Sequence, residues 1–275
     1  MNGLSIIIPA SNEAGYINRC LQAVLDQDHD GPVQIVVVAN GCRDDTAAQA
    51  RRIQGAFTAR GWPLVVIERA EGGKIPALNL GDDHAIYQDR LYLDADIVMD
   101  PNMLGALVEA LAAPTPRYAG GRLVVAPADS AVSRAYGRFW SRLPFMTGNV
   151  TGAGLFAVNA AGRARWGRFP QLISDDTFVR LQFAEAERLR VASDYSWPLA
   201  EGFDRLVRVR RRQDRGVQEI ARLHPELLAR QGNTRPDRRQ LAGLALRDPL
   251  GFAAYAAVAL AVRAKRGEAN WTRGR

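Results

Sequence analysis

Asp94 and Asp96 close an apolar run, Leu91-Tyr92-Leu93-Asp94-Ala95-Asp96. Side chains alternate between faces along a strand, so carboxylates spaced i, i+2 point the same way. Two like charges that close raise each other's pKa unless a cation lies between them. A hard divalent ion with oxygen ligands, Mn2+ or Mg2+, suits such a pair, and strand ends of α/β sheets are where ligands bind. The chemistry this spacing suggests is a metal–diphosphate site. The plain alternative is a turn with two solvated aspartates.

Further groups could share that chemistry. Glu71-Gly72-Gly73-Lys74 reads as a flexible loop able to bring one ammonium to a phosphate. Thr147-Gly148-Asn149-Val150-Thr151-Gly152-Ala153-Gly154 is rich in glycine, which lets backbone approach a ligand closely. Ser174-Asp175-Asp176-Thr177 opens a helix, where either aspartate could be a cap or a catalytic carboxylate. Residues 205–215 contain six arginines. Arginine binds phosphate bidentately and keeps its charge; the alternation of Val with Arg there predicts an edge strand or half-exposed turn. No G-x-G-x-x-G follows the first apolar run, and Gly73-Lys74 is not a Walker loop.

The elements that must position these groups alternate. Residues 4–8 form a buried strand closed by Pro9, and Ser11 or Asn12 is placed to cap a helix over 16–25. A strand over 33–38 follows, then the Asn40-Gly41 turn and a helix to about residue 60. The next elements are a strand over 63–67, a helix over 76–87 and the strand 91–93. Beyond the aspartates the pattern predicts a helix over 102–112, strands over 118–125 and 155–158, and a helix over 131–143. A helix over 175–187 and a strand over 191–197 complete the series. The aromatics Tyr136, Phe139 and Trp140 read as core before sugar-stacking groups. This βα alternation predicts an α/β fold with a doubly wound, mostly parallel sheet of the Rossmann-like kind. The domain spans 1–204, in a nucleotide-binding half (1–98) and an acceptor half (99–204), and a basic, amphipathic helical segment follows over 205–275.

The chain has 275 residues, 47% of them hydrophobic, and a net charge of +7. That length supports one large domain, and the charge favours anionic partners. Two cysteines, Cys20 and Cys42, are too few for a disulfide framework and suit a reducing compartment. The start of the chain does not read as a signal peptide. No apolar run reaches the roughly 20 residues of a membrane span. Residues 249–262 are uncharged, with Arg247 on one side and Arg263, Lys265 and Arg266 on the other. They could lie on an anionic membrane surface or pack against protein. The arginines lack interleaved aromatics, so nucleic acid is not the expected partner. His29, His84 and His224 are isolated and are not expected as metal ligands.

Together these stretches resemble family-2 glycosyltransferases of the GT-A fold. Leu4-Ser5-Ile6-Ile7-Ile8-Pro9-Ala10-Ser11-Asn12-Glu13 resembles the family's opening strand, and Asn40-Gly41-Cys42-Arg43-Asp44-Asp45-Thr46 its second-strand turn. Gly73-Lys74-Ile75-Pro76-Ala77-Leu78-Asn79-Leu80-Gly81 resembles its G-K-x-x-A-L-N-x-G loop. Asp94-Ala95-Asp96 matches its D-x-D, and Gly152-Ala153-Gly154 and Asp175-Asp176 its later glycine loop and acidic pair. The resemblance covers about residues 4 to 190. It implies that Pro9, Ala10, Asn12 and Glu13 line a nucleotide pocket, with Asn40 near the base and Lys74 near the ribose and phosphates. Asp94 would face the ribose or metal shell, Asp96 would ligate Mn2+ or Mg2+, and Asp176 would be the general base. Gly152, Ala153, Gly154 and Asp175 would stand on the acceptor side, and Arg212 and Arg215 would neutralise the leaving diphosphate.

The family turn that often reads D-D-G-S is Ala39-Asn40-Gly41-Cys42 here, which leaves uridine selectivity open. The Q-x-x-R-W of processive members is absent, which favours transfer of a single sugar. The expected activity is metal-dependent inverting glycosyl transfer. The donor is a nucleotide-sugar, a UDP-sugar ahead of GDP or TDP. The acceptor is a glycan or lipid-linked precursor, handled in the cytoplasm or at the inner membrane face. A nucleotidyltransferase and a non-catalytic nucleotide-sugar binding module are the alternatives.

Overall fold

The computed structural model describes residues 3–148, 150–232 and 236–264. Asn149 of the glycine-rich loop and Lys265 and Arg266 of the basic flank lie outside the described residues.

The first strand, β1 (Leu4–Ala10), sends Leu4, Ile6, Ile8 and Ala10 into one core layer and Ile7 into the layer on the opposite face. Both faces are covered, which is why the run is continuously apolar. After α1 (Ile17–Leu25), β2 (Val33–Asn40) repeats the pattern, with Val33, Ile35 and Val37 on one face and Val36 and Val38 on the other. Next come α2 (Thr46–Arg52), α3 (Gln54–Ala59), β3 (Leu64–Arg69), α4 (Lys74–His84), β4 (Asp89–Leu93) and β5 (Val98–Met99). The later half adds α5 (Met103–Leu111), β6 (Tyr118–Val125), α6 (Ala131–Trp140), α7 (Pro144–Thr147), β7 (Leu155–Val158) and α8 (Ala160–Arg163). The last elements are α9 (Asp175–Arg180), β8 (Arg188–Trp197), α10 (Phe203–Leu223), α11 (Arg238–Arg247) and α12 (Pro249–Ala264).

The eight strands form one mostly parallel sheet in the order β3-β2-β1-β4-β7-β6-β8-β5. The chain winds outward from β1 to β2 and β3, then returns to place β4 on the other side of β1. All of these pairs are parallel. That reversal is the switch point at which α/β sheets bind ligands, outside the strand C-termini. The loops after β1, β2, β3 and β4 all open there.

Several expected boundaries move. The helix expected to reach residue 60 breaks at Ile53. The helix expected over 76–87 runs from Lys74 to His84, so Lys74 is a helical residue rather than part of a loop. The helix expected over 175–187 stops at Arg180, because the Gln182 carbonyl accepts from Arg165 and Arg230 instead of continuing the turn. The largest correction is at residues 205–215, which lie within the 21-residue helix α10 and not in a strand or turn. Two Val–Arg repeats imitated a period of two. Over the longer window the buried residues fall in two groups at helical spacing, Leu206 and Val207 packed with Val258 of α12, and Gly216 and Ile220, spaced i, i+4, toward Ser174 and the core beyond it.

Helix α12 packs across α6. The Tyr255 ring stacks at 5.7 Å from Tyr136 and 5.2 Å from Phe139, and Phe252 lies 5.6 Å from Phe139. Two of the three α6 aromatics are therefore core, as the sequence suggested. Arg138 clamps the start of α12 by donating to both Asp248 oxygens, at 2.8 and 2.9 Å. One face of α12 thus covers its own chain, while Leu250 and Leu260 stay exposed. Among the described residues no helix is long and apolar enough to cross a membrane.

Candidate active site

A cleft of about 1060 Å3 opens at the switch point, with an adjoining lobe of about 450 Å3. Both share Ser11, Asn12, Lys74, Asp94, Trp197 and Arg212 in their walls. Asp96 and Glu13 face the smaller lobe, and Asp175 and Asp176 the larger.

The loops after β1 and β2 are tied together by side chains expected to do other work. Ser11 and Asn12 do not cap α1, whose N-cap is Tyr16. Asn12 takes the left-handed conformation, with φ of 52°, one that asparagine tolerates. Its Oδ1 accepts from the Arg43 amide at 2.5 Å, and its own amide donates to Cys42 Sγ at 3.4 Å. The Glu13 amide donates to Thr46 Oγ1 at 2.7 Å. Asn40 is buried, and its amide is engaged by backbone. Nδ2 donates to the carbonyls of Ala10 and Val38, and Oδ1 accepts from Gly73 N at 2.9 Å. Asn40 therefore ties the end of β2 to the end of β1 and to the start of α4 rather than offering its amide to a base. Ala10 is also buried, its methyl in the core, so of the residues at and after the end of β1 Pro9, Asn12 and Glu13 line the cleft and Ala10 does not.

Asp94 and Asp96 lie beyond β4, in a turn closed by Ile97 N donating to Asp94 O at 3.2 Å. Strand alternation does not orient them; the turn does. Lys74 Nζ sits 2.9 Å from Asp94 Oδ1 and 3.1 Å from Asp175 Oδ2. Burial works against the ammonium, but Asp175, Asp94 and Asp176 outweigh it and hold its pKa above the ordinary lysine value. Asp175 is buried, and burial raises its carboxyl to about 6 against the pull of Lys74. Asp175 is thus buried against Lys74 and is not the open acceptor-side group that was expected. Asp176, the next residue, faces the open cleft and accepts from the Thr177 amide at 2.6 Å.

The glycine-rich loop supports this arrangement. Gly154 O accepts from Asp94 N at 2.8 Å, and Ala153 O accepts from the Tyr195 hydroxyl at 2.9 Å. Gly152 has φ of 72°, and a Cβ there would stand 2.0 Å from the Tyr118 hydroxyl. The close approach that requires glycine is to Tyr118, not to a ligand. Asn79 and Gly81 of the G-K-x-x-A-L-N-x-G stretch also have structural roles. Asn79 exchanges two hydrogen bonds with the Phe169 backbone, and Gly81 lets α4 rest on Ile7.

Helix α10 closes the cleft from the far side. A Cβ on Gly216 would meet Ser174 Oγ at 2.0 Å, so α10 lies against the residue that precedes Asp175. Arg212 and Gln213 then reach both lobes. Arg215 does not line either lobe. It is turned about 100° round the helix from Gly216, the face packed on Ser174. Trp197, Gln213 and Glu219, which complete the walls, were not expected there, because no motif marks them.

Among the described residues no cluster of three His, Cys, Asp or Glu is arranged to hold a metal by itself. Asp96 in the smaller lobe is instead the kind of single carboxylate that binds a Mg2+-like ion jointly with substrate phosphates. Asp94 already has an ammonium against it.

The sheet order and the cleft define a GT-A type α/β fold. The model of glycosyl transferase family 2 matches residues 5–168, and the chain belongs to that family. An uncharacterized glycosyltransferase of Nostoc sp. is 31% identical over 106 residues, which cover 38% of this chain and 32% of that relative. The match therefore spans about a third of the relative's length. A mannosyltransferase from Pyrobaculum calidifontis, solved in complex with GDP-Man and Mn2+, superposes with a TM-score of 0.59 at 24% identity, over 97% of this chain and 76% of that one. Residues 1–349 of S. aureus TarS, solved with UDP, superpose with a TM-score of 0.54 at 13% identity, over 99% and 95%. These likenesses establish the fold.

Proposed function

We propose that this chain is a metal-dependent, inverting glycosyltransferase that moves one sugar from a nucleotide-sugar to a hydroxyl acceptor. One observation carries the reading: Lys74, Asp94, Asp96, Arg212 and Asp176 converge on one cleft at the C-terminal ends of β1 to β4. Lys74 and Arg212 supply positive charge to a diphosphate. Asp96 would hold Mn2+ or Mg2+ together with that diphosphate, and the ion would stabilise the charge growing on it.

Asp176 takes the proton of the acceptor hydroxyl as its oxygen bonds to the anomeric carbon. The bond from that carbon to the phosphate oxygen breaks on the opposite side, and the nucleoside diphosphate leaves. The enzyme supplies no nucleophile. Asn40 positions the base end of the pocket through its three backbone contacts.

A glycan or lipid-linked precursor fits as acceptor. Leu246, Leu250 and Leu260 are exposed beside Arg247 and Arg263, which supports contact with an anionic lipid surface. A thermal-shift panel of UDP, GDP and TDP with and without Mn2+ tests the donor assignment. Stabilisation by one diphosphate, enhanced by metal, is expected. No response to any of them contradicts the reading.

A further inference from the structure

Beyond Asp176 the cleft adjoins a separate chamber of about 320 Å3. Its walls include the apolar and aromatic side chains of Trp140, Leu143, Phe145, Trp197 and Tyr255, and Arg180 stands among them. Arg180 is only 3% exposed, and its guanidinium keeps its charge at any physiological pH. Its Nε and Nη1 have no hydrogen-bond partner. A buried charged donor without a partner costs more than a neutral one, so such a group requires an explanation.

Among the described residues no carboxylate forms an ion pair with Arg180; burial pulls its pKa below the ordinary arginine value, and Asp176 offsets this only through space. The Phe145 ring centroid lies 5.4 Å from its guanidinium carbon. Arg188 is a second buried guanidinium nearby, repelling it, with Nε and Nη1 likewise unpartnered. The Tyr118 hydroxyl close by also lacks a partner. Asp176 lies four residues earlier on α9 and so shares its face. Yet among the described residues no ion pair joins the two, and Asp176 is bonded to the Thr177 amide. The arrangement is a buried cation beside a chamber walled partly by aromatics, which Arg210 and Asp176 also line, one helical turn from the proposed base.

We infer that Arg180 is the anion-binding residue of an acceptor subsite. The acceptor it fits carries a carboxylate or phosphate near the hydroxyl that receives the sugar, on an apolar or ring-bearing body. The inference rests on Asp176 being the base of the proposed transfer. It assigns Arg180 a specificity role that the family motifs did not suggest. The anion pairs with Arg180, while Trp140, Trp197 and Phe145 cover the apolar part, and the hydroxyl is left toward Asp176.

Binding of three probes tests this without turnover: 4-hydroxybenzoate, its uncharged methyl ester, and 4-hydroxyphenyl phosphate, each titrated by calorimetry. The unaltered protein is expected to bind at least one anionic probe about tenfold more tightly than the ester, the scale of one charge-assisted contact. The carboxylate and phosphate arms show which anion is preferred. Arg180→Gln should reduce the preference to within about twofold, while Arg180→Lys keeps part of it. Equal binding of ester and anions by the unaltered protein overturns the inference, even if neither variant folds. So does a preference that survives in a folded Arg180→Gln protein. Parallel titration of UDP and GDP with Mn2+ separates the two readings. Diphosphate binding without anion preference defeats only the subsite; anion preference without diphosphate binding defeats the donor reading.

Discussion

Lys74 Nζ lies 3.1 Å from Asp175 Oδ2, joining the first residue of α4 to the first residue of α9. The same ammonium is 2.9 Å from Asp94 Oδ1. One lysine thus couples the turn after β4 to the helix that carries Asp176.

Replacing Lys74 by Gln leaves two carboxylates without their counter-charge. A fully buried pair broken this way costs about 3–5 kcal/mol, but Lys74 is 39% exposed, so about 1–2 kcal/mol is expected. Chemical denaturation measures it. Adding Asp175→Asn to Lys74→Gln should recover part of that loss, because the buried carboxylate is then removed too. Nucleoside diphosphate affinity should stay reduced in both, since the ammonium is absent.

Gly216→Ala tests the seating of α10. The new methyl would lie 2.0 Å from Ser174 Oγ and 2.9 Å from its Cβ. The helix must shift, with a stability loss of about 1–3 kcal/mol typical of overpacking. Turnover should fall as well, because Arg212 and Gln213 move with it. Removing the hydroxyl with Ser174→Ala should relieve part of the loss, and a double-mutant cycle on melting temperature reads the coupling.

Asp96 is assigned to the metal and Asp94 to Lys74. Asp96→Asn should therefore weaken Mn2+ binding in the presence of nucleoside diphosphate by about tenfold or more, measured by electron paramagnetic resonance of free Mn2+. Chelation should abolish transfer in the unaltered protein. Undiminished Mn2+ affinity in Asp96→Asn places the ion elsewhere.

Acid should loosen the attachment of α12. The Arg138 hydrogen bonds hold the Asp248 carboxyl down at about 2, with burial opposing and the Gly251 amide adding to the effect. A depressed folded pKa gives stability that is present above the unfolded value near 3.9 and lost as pH falls through the folded one. The melting-temperature gap between the unaltered protein and Asp248→Asn should therefore hold from neutral pH to about 4. It should close by about pH 2. Arg138 is half exposed, so the gap is smaller than the shift alone suggests.

Strands β1 and β2 were legible because burial on both faces writes a continuous apolar run, as in Ile6-Ile7-Ile8 and Val36-Val37-Val38. The meeting of Lys74 and Asp94 followed from motif order, since the segments after parallel strands β3 and β4 open at one sheet edge; Asp176, beyond the antiparallel β7, reaches the cleft on α9. What sequence could not show depends on partners distant along the chain. The two residues of β5 are a strand only through pairing with Ser196 and Tyr195. Asn40 and Asn12 read as ligand or cap residues because nothing local reveals the backbone they bind. Arg180 carries no motif at all; its isolation becomes visible only when the surrounding side chains are in place.

In the proposed transfer Asp176 faces a sugar donor held by Lys74 and Arg212 in the same cleft. The most direct measurement is product formation by Asp176→Asn beside its affinity for the nucleoside diphosphate. Turnover should fall by about 100- to 10,000-fold, the usual contribution of a general base, with diphosphate affinity within about twofold of the unaltered protein. Turnover in that variant equal to the unaltered protein's contradicts the account.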